Sequence, residues 1–258
     1  MTELIKNFEN YSRYYDIIYK NKKYKEEVNH IFKLLEKIKF NKRNLLEFGS
    51  GTGKHAEFLI KKGFKVHGIE KSKKMISMCK KLEGFTFQQG DICKIKLKKK
   101  YDIILSLFHV ISYQTNNQKL ENFFKNSRYH LNSNGLLGFD FWYSPAVKFI
   151  KPKTKLIEIK KKNFKLIRLA EPILYNKKKI VNVKYTLIID DFLRKKINII
   201  EERHLMRHFN FSDLYKMFKK YKFKCLHTCE LITNKNTRQK YLGYFLFIAK
   251  ILKNYDLC

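Results

Sequence analysis

A glycine-rich segment between a predicted strand and a predicted helix constrains the fold of this chain most strongly. The segment Asn44–Gly53 reads N-L-L-E-F-G-S-G-T-G. Its apolar first half is typical of a strand buried on both faces, and its glycines tolerate the positive φ angles of a tight turn. Residues Lys54–Lys62 then follow a helical pattern. This order predicts a ligand at the helix N-terminus, beside the carboxyl end of a parallel sheet.

Three kinds of ligand-binding loop compete for this segment, together with a glycine turn that binds nothing. A phosphate-binding loop needs G-x4-G-K-[ST], but Gly49 and Gly53 enclose only three residues and His55 stands where Ser or Thr is required. A dinucleotide loop needs a small third residue for close helix–strand packing, and Lys54 stands there. The remaining pattern, E-x-G-x-G-x-G beginning at Glu47, is matched in full.

The net charge of +33 admits two interpretations. It favours an anionic partner, such as nucleic acid, an acidic membrane surface or a phosphorylated substrate. Alternatively, it reflects a general drift of composition toward lysine, because the lysines are scattered through every segment and no RNA- or DNA-binding module is recognisable. We attribute most of the charge to drift, and expect a residual field that attracts an anionic substrate but no specific nucleic acid.

The chain has the length and composition of one globular core with an elaboration. Its 258 residues are 44% hydrophobic, without an apolar run of about 18 residues, so we expect no membrane span. The N-terminal residues lack the apolar centre of a secretory signal. Five cysteines, an odd number, predict reduced thiols and a cytoplasmic location. Three residues with ligand-type side chains, Cys225, His227 and Cys229, match no common zinc spacing, so we expect no metal.

Further strand-like runs alternate with helical patterns up to about residue 150, which predicts a doubly wound parallel α/β sheet. We expect Ser72 to cap a helix over Lys73–Lys81 and a second helix to cover Asn117–Leu131. The predicted strands are Lys65–Ile69, Phe85–Gln89, Tyr101–Val110 and Leu136–Phe141.

Beyond residue 150 the pattern changes to strands separated by polar turns, which predicts an inserted antiparallel sheet. The following helix is expected over Asp213–Lys220 with Ser212 as its cap, before a closing antiparallel pair of strands at the sheet edge, Phe223–Glu230 and Tyr244–Ala249. The predicted inserted strands are Leu156–Ile159, Phe164–Leu169, Ile180–Asp190 and Ile197–Met206. We therefore divide the chain into a helical cap over a cofactor site (1–40), a Rossmann-like core (41–150), the inserted sheet on the acceptor side (151–210) and the closing elements (211–258).

With these elements in order, residues 44–145 resemble the core of class I S-adenosylmethionine (SAM) methyltransferases, which have a seven-stranded Rossmann-like sheet. The resemblance rests on the glycine motif, on Glu70 after the second strand, on Gly90-Asp91-Ile92 after the third, and on the fourth strand. The segments S-L-F-H-V-I-S-Y-Q and F-D-F-W-Y-S-P-A-V resemble bacterial members that act on small molecules, similar to sugar N-methyltransferases. The implied cofactor is SAM, which becomes S-adenosylhomocysteine on methyl transfer.

The resemblance also implies site residues. Glu70, 21 positions after Gly49, is expected to bind the ribose hydroxyls, and Asp91 the adenine amino group. The expected cofactor-binding residues are Tyr14, Tyr15, Glu47, Gly49, Ser50, Gly51, Gly53, Glu70, Lys71, Met75, Asp91, Ile92, Leu107 and Phe108. From their positions in this chain, the expected acceptor-binding residues are Tyr113, Trp142, Tyr143, His204 and Arg207. For His204 and Arg207 the alternative is a pairing with Glu201 and Glu202.

Two residues are candidates for catalysis, His109 and Tyr14. The pKa of an ordinary histidine lies near neutrality, so His109 is a candidate general base, although a structural histidine after a buried strand is an equal alternative. The acidic residue that the family usually has just beyond the fourth strand is absent. The identity of the methyl acceptor therefore cannot be inferred from the family. We expect methyl transfer to N or O of a small, anionic molecule, such as a nucleotide sugar or capsule or surface-glycan precursor, by a monomer or homodimer. The alternatives are an RNA methyltransferase, a basic nucleic-acid-binding protein, or a non-catalytic SAM fold.

Overall fold

The computed structural model describes residues 8–230 and 244–252, and two sheets contain the strands of this part of the chain. The strands are β1 (Asn44–Phe48), β2 (Lys65–Glu70), β3 (Phe85–Gln89), β4 (Tyr101–Ser106), β5 (Leu131–Trp142), β6 (Lys155–Lys160), β7 (Phe164–Tyr175), β8 (Ile180–Asp191), β9 (Lys196–Arg207), β10 (Phe223–Glu230) and β11 (Tyr244–Ile251). The helices are α1 (Ser12–Ile18), α2 (Tyr24–Lys37), α3 (Lys54–Ile60), α4 (Lys73–Ser77), α5 (Asn117–His130), α6 (Ser144–Ile150) and α7 (Phe211–Lys220), with a 3-10 helix over Val110–Tyr113.

The larger sheet has seven strands in the order β3-β2-β1-β4-β5-β11-β10. The first five strands of the chain run parallel, whereas β11 runs antiparallel to both β5 and β10. The strand order reverses between β1 and β4, and ligands of open α/β sheets bind at the carboxyl end of such a reversal. This confirms the predicted doubly wound sheet and its antiparallel closing pair.

Strand residues alternate between two apolar layers, one on each face of this sheet. Leu46 and Ile104 pack under α5 and α7, while their neighbours Leu45 and Ile103 pack under α2 and α3. Burial on both faces explains why these strands read as continuous apolar runs rather than alternating ones. The core therefore fixes β1 and β4 side by side, and with them the loops at their carboxyl ends.

The smaller sheet is antiparallel, with the order β6-β7-β8-β9, which confirms the predicted insertion. The first helix packs on one face of it, where Tyr11 and Ile18 contact Leu166 and Leu187. Helix α1 is also tied to the glycine loop, because Thr52 Oγ1 donates to Asp16 Oδ1 at 2.6 Å. The N-terminal helix thus lies between the inserted sheet and the carboxyl edge of the larger sheet.

Several element boundaries differ from prediction. Strand β4 ends at Ser106 instead of Val110 because Phe108 and His109 both adopt a left-handed backbone with φ of 63°, which a strand cannot contain. Helix α4 ends at Ser77, four residues early, although Ser72 caps it as predicted by accepting from Met75 N at 3.2 Å. Strand β5 begins at Leu131, within the predicted helix and turn.

The C-terminal helix has a different cap from the predicted one. Asn210 and Asp213 form a reciprocal capping box, so α7 begins at Phe211 and Ser212 lies inside its first turn. This arrangement satisfies two backbone N–H groups at once. Helix α6 was not predicted; Pro145 occupies its first turn, a position that proline favours.

Parts of three expectations fall outside the residues described above. Residues 1–7 of the predicted cap, residues 231–243 and 253–258 of the closing elements, and Cys258 belong to this group. Of the helices that are described, none has the length and apolar character needed to cross a bilayer.

Candidate active site

A cavity of about 580 Å³ lies where the carboxyl ends of β1, β2 and β4 meet α1 and the inserted sheet. Its walls come from the glycine loop, from the bend after β4, from the end of β5 and from β7, β8 and β9. The cavity thus occupies the position that the strand order predicts for a ligand.

The three glycines of the loop have different physical roles. All have positive φ, at 73° for Gly49, 57° for Gly51 and 80° for Gly53. A Cβ on Gly49 would lie 2.5 Å from a Val110 methyl, and one on Gly53 would lie 2.7 Å from the Phe85 ring, so both are required by packing. A Cβ on Gly51 would meet no protein atom within 4 Å. Gly51 lines the cavity, so its missing side chain leaves space for a ligand to approach the backbone.

Glu70 connects the end of β2 to the glycine loop. One carboxylate oxygen accepts from Gly51 N at 3.0 Å and the other from Ser72 N at 2.7 Å. Burial raises the pKa of Glu70, while these backbone hydrogen bonds act in the opposite direction. The side chain lines the cavity, and each oxygen keeps a second lone pair with which a ligand hydroxyl could bond.

Glu47, the first residue of the motif, lies beneath the loop rather than in the cavity wall. It is 1% exposed, and Nδ1 of His55 lies 3.7 Å from Glu47 Oε1. Burial, and then the nearby charge of Glu70, raise the pKa of Glu47 to about 8. A neutral, protonated side chain supporting the loop is therefore the form expected near pH 7.

The predicted adenine-binding residues lie at the edge of the site. Asp91 accepts from Lys71 Nζ at 3.1 Å and from Cys93 N at 2.9 Å, and Ile92 is buried in the core under the sheet. Neither these residues nor Gly53 belong to the cavity wall. Asp91 is nevertheless half-buried and lies two residues after Gln89, the residue of β3 that pairs with Glu70.

An aromatic wall faces the glycine loop. The rings of Tyr15 and Tyr19 lie 6.3 and 5.1 Å from the ring of Phe108, and Lys22 Nζ lies 4.5 Å above that ring. Burial raises the pKa of Tyr15 well above its ordinary value. Ser50, Met75 and Leu107 also line the cavity, as predicted residues of the cofactor site.

Tyr14 does not join this wall. It packs edge-on against Phe164 of β7, with ring centroids 6.3 Å apart, in the cluster between α1 and the inserted sheet. Tyr14 and Tyr15 are adjacent on a helix, so they point in different directions and only Tyr15 faces the cavity. The position of Tyr14 does not support the predicted role in catalysis.

His109 and Asp140 come together at the ends of two neighbouring strands. His109 Nδ1 lies 2.7 Å from Asp140 Oδ2, and the backbone N–H of His109 donates to Asp140 Oδ1 at 3.0 Å. Asp140 is fully buried on β5, and His109 lines the cavity beside Trp142, with ring centroids 6.0 Å apart. The left-handed backbone of His109 is the kind of strain that persists where the surroundings hold a functional group in place. The carboxylate can therefore orient the imidazole in the cavity.

Two further predicted residues meet on the opposite wall. Tyr113 Oη lies 2.8 Å from His204 Nδ1, and His204 Nε2 lies 3.2 Å from Glu202 Oε2. Glu202 also accepts from the backbone N–H groups of Phe8, Asn10 and Tyr11 at 2.7 to 2.9 Å. Burial raises the pKa of Tyr113 well above its ordinary value. This network joins the N-terminal segment and β9 to the 3-10 helix that follows His109.

Arg207 and Tyr143 lie away from the cavity, contrary to prediction. Side chains three positions apart on a strand point to opposite faces, so Arg207 cannot share the cavity with His204. Its guanidinium instead lies over the ring of Phe209 at 5.2 Å. Tyr143 stacks on Phe211 with ring centroids 4.5 Å apart.

Asp140 and Arg168 are among the residues of this site that were not predicted from the sequence. Asp140 interrupts the apolar run of β5, and a carboxylate at a buried strand position was the available signal. Arg168 lines the cavity from β7 and is only 7% exposed, but nothing in its local sequence distinguishes it from the many surface cations.

The cysteines of the described residues are free, and burial raises the pKa of Cys79 and of Cys93 to about 12. Cys229 Sγ lies 3.2 Å from His30 Nε2. Within the described ranges, no three His, Cys, Asp or Glu residues are arranged to hold a metal ion.

Comparison with known proteins agrees with this geometry. Residues 45–135 match a family model described as a methyltransferase domain. Residues 45–135 therefore form a methyltransferase domain of this family, within a sheet that has the class I methyltransferase fold. The match covers β1 to β4 and α5, and therefore includes the glycine loop and the bend that bears His109.

Relatives of this methyltransferase domain include enzymes that act on amino sugars. A dTDP-3-amino-3,4,6-trideoxy-alpha-D-glucopyranose N,N-dimethyltransferase of Streptomyces venezuelae is 28% identical over 134 residues, which cover 51% of this chain and 56% of that protein. The chain thus spans about half the length of the curated relatives it matches.

Solved structures show the same fold over nearly the whole chain. A sugar N-methyltransferase of Streptoalloteichus sp. has a TM-score of 0.79 at 18% identity, over 98% of this chain and 96% of that one. A SAM-bound amino pentose methyltransferase of Micromonospora echinaspora has a TM-score of 0.74 at 18% identity, over 97% of this chain and 100% of that one. SAM is the cofactor of this family, as predicted.

Proposed function

We propose that the protein transfers a methyl group from SAM to the amino nitrogen of a sugar carried on a nucleotide. The observation that carries the proposal is the His109–Asp140 pair at the carboxyl edge of the sheet, in the same cavity as the glycine loop. The names of the relatives support an amino sugar as the acceptor, and the cationic side chains of the cavity support an anionic carrier.

The residues present fit SAM. The open space over Gly51 would receive the cofactor, the carboxylate of Glu70 would accept from the ribose hydroxyls, and Tyr15 with Phe108 would cover the apolar part. When bound, SAM supplies an electrophilic methyl group with a neutral thioether as leaving group. The protein must then align an acceptor with this methyl group and keep water out of the cavity.

His109 would bind the acceptor nitrogen and hold its proton. An amine attacks only when its lone pair is free, so the amine must lose a proton before or during transfer. Asp140 holds Nδ1 of His109, which leaves Nε2 as the nitrogen that would accept that proton. Asp140 is buried and also accepts from the backbone N–H of His109, so it would hold the ring in this orientation.

The surrounding elements would complete the acceptor site. Trp142 lies beside His109, and Tyr113 with His204 forms the wall toward the inserted sheet. Helix α1 and residues 8–11, held by Glu202, would close the cavity over the cofactor. We assign the inserted sheet to the acceptor and the N-terminal helix to the cofactor, with a surface-glycan precursor as the acceptor class.

The experiment is a methyl-transfer assay with a panel of dTDP-linked amino sugars and their hydroxyl counterparts, read by product mass. We expect methylation of at least one amino sugar and of no hydroxyl counterpart. His109→Ala and Asp140→Asn should lower kcat by about 10²–10⁴-fold, the usual contribution of a general base. Binding of SAM should not change.

His67 provides the matched control, because it is a histidine on β2 that bonds to Thr86 Oγ1 at 2.8 Å outside the cavity wall. His67→Ala should turn over at the wild-type rate. Wild-type turnover by folded His109→Ala, or SAM binding without methylation of any acceptor in the panel, would remove the proposal.

A further inference from the structure

A buried arginine in the acceptor half of the cavity has no counter-charge among the residues that the structure describes. Arg168 is only 7% exposed, and its Nε has no hydrogen-bond partner within the described residues. The described part of the chain also places no carboxylate within ion-pair distance of its guanidinium. A guanidinium stays charged at any ordinary pH, and burying it without a partner is costly.

The only compensating contact described for the guanidinium within residues 8–230 and 244–252 is aromatic. Its carbon lies 5.7 Å from the ring centroid of Tyr185, a distance at which a cation–π contact is weak but real. Such a contact does not replace the hydrogen bonds that five N–H donors require. The N–H donors of Arg168 can therefore bind oxygen atoms of a ligand that enters the cavity.

The charges around Arg168 indicate the sign of that group. The cavity wall also carries Lys151 and Lys153, from the segment before β6, and Lys155, the first residue of β6. The one carboxylate in the described wall is Glu70, which lies at the cofactor end and is bonded to the glycine loop. The acceptor end is thus cationic, with one buried guanidinium and three exposed ammonium groups.

A chain of contacts links Arg168 to the reacting end of the cavity. Tyr185 packs on His204 with ring centroids 4.9 Å apart, and His204 bonds to Tyr113 at 2.8 Å. Tyr113 ends the 3-10 helix that begins directly after His109. A ligand held at Arg168 would therefore extend along this wall toward His109.

We propose that Arg168 binds a phosphate group of the acceptor and so selects nucleotide-linked sugars over free ones. The planar guanidinium matches two phosphate oxygens with two parallel hydrogen bonds, and the three lysines match the additional charge of a diphosphate better than that of a single carboxylate. This inference rests on the proposed function, because Arg168 can select the methyl acceptor only if the protein methylates nucleotide-linked sugars.

The test is calorimetric titration of the full chain with three probes: thymidine diphosphate, inorganic pyrophosphate and uncharged thymidine. Wild type should bind the first two and bind thymidine far more weakly. Arg168→Met should weaken diphosphate binding by about tenfold or more, the usual effect of losing charge-assisted hydrogen bonds. Arg168→Lys should have an intermediate affinity, because lysine keeps the positive charge but cannot form two parallel hydrogen bonds to a phosphate. Pyrophosphate binding without an added gain from the nucleoside would assign the site to phosphate alone, which still supports Arg168 as the phosphate ligand.

Arg207→Met is the matched control, because Arg207 also lies over a ring, 5.2 Å from that of Phe209, but outside this cavity. It should bind the diphosphate like wild type. Equal diphosphate affinity of wild type and Arg168→Met, or no binding of either phosphate probe by wild type, overturns the inference.

Thermal unfolding adds a readout that does not depend on affinity alone. Removing an uncompensated buried charge should leave Arg168→Met at least as stable as wild type, and thymidine diphosphate should raise the Tm of wild type more than that of the variant. The assignment would be contradicted if Arg168→Met had a lower Tm than wild type and if thymidine diphosphate raised the Tm of both proteins equally.

The proposed function and this inference fail separately. Diphosphate binding that depends on Arg168, without methylation of any amino sugar, would contradict the proposed function and still support the phosphate site. If Arg168→Met methylated nucleotide sugars with an unchanged KM, the proposed function would be supported and the phosphate site at Arg168 would be contradicted.

Discussion

Replacing Glu47 with Gln should make the protein more stable at alkaline pH. Glu47 is 1% exposed beneath the glycine loop, and burial together with the charge of Glu70 raises its pKa to about 8. An unfolded glutamate titrates near its ordinary value of 4.5. Between these values the folded protein holds a proton that the unfolded chain has lost, so the free energy of unfolding falls as pH rises.

The magnitude follows from the separation of the two pKa values. Each pKa unit is worth about 1.4 kcal/mol, so full titration would cost about 4–5 kcal/mol, and the interval from pH 5.5 to pH 7.5 about 2–3 kcal/mol. The stabilising contribution is complete below about pH 4.5 and is lost by about pH 8. Glutamine has a similar shape and no proton to lose, so Glu47→Gln should lack this dependence.

The assay is urea unfolding at 25 °C, followed by circular dichroism, of both proteins at intervals from pH 5.5 to pH 8.5. We expect the variant to gain on wild type by about 2–3 kcal/mol as pH rises to 7.5 and to stop gaining above about pH 8. Glu158→Gln is the control, because this exposed carboxylate has its pKa lowered by Lys165, which confines its effect to acid pH. Parallel curves for wild type and Glu47→Gln would refute the buried, protonated state.

Three further outcomes are expected. Glu70→Ala and Asp91→Ala should each weaken SAM binding by about 1–3 kcal/mol in calorimetry, and inosine-containing SAM should bind wild type less well than SAM does; equal binding would exclude Asp91 as the adenine partner. Tyr113→Phe removes the hydrogen bond to buried His204 and should lower the free energy of unfolding by about 1–3 kcal/mol, whereas exposed Tyr129→Phe should not; equal effects would contradict the network. Binding to DNA or RNA should be weak and steeply lost with salt in filter-binding assays, and a tight complex with one RNA at physiological salt would favour a nucleic-acid substrate.

Local patterns predicted the larger sheet well because its strands are buried on both faces. Runs such as that of β4 are apolar at every position, and the loops between them carry glycine or helix caps such as Ser72. These signals arise from neighbours in the sequence, so they can be read without knowing the fold.

The site was less predictable because its geometry depends on backbone bends and on contacts between distant residues. The left-handed backbone at Phe108 and His109 follows no local glycine signal, and it turns His109 toward Asp140, 31 residues away. Strand alternation alone could have separated His204 from Arg207, which lie on opposite faces of β9.

Buried charge was the part that sequence could not reveal. Arg168 resembles any cation of a lysine-rich chain until the sheet places it inside the cavity. Glu47 was predicted to bind the cofactor, but it lies under the loop, 3.7 Å from His55, and outside the cavity wall.

Binding of SAM to wild type and to Gly51→Val, measured by calorimetry, tests the central claim most directly. Gly51 and Gly63 both have positive φ, at 57° and 82°, and at both positions a Cβ would meet nothing within 4 Å, but only Gly51 lines the cavity. Valine should therefore strain the backbone similarly at both sites. We predict that wild type and Gly63→Val bind SAM and that folded Gly51→Val does not. Near-normal SAM affinity in Gly51→Val, or no SAM binding by wild type, would contradict the account.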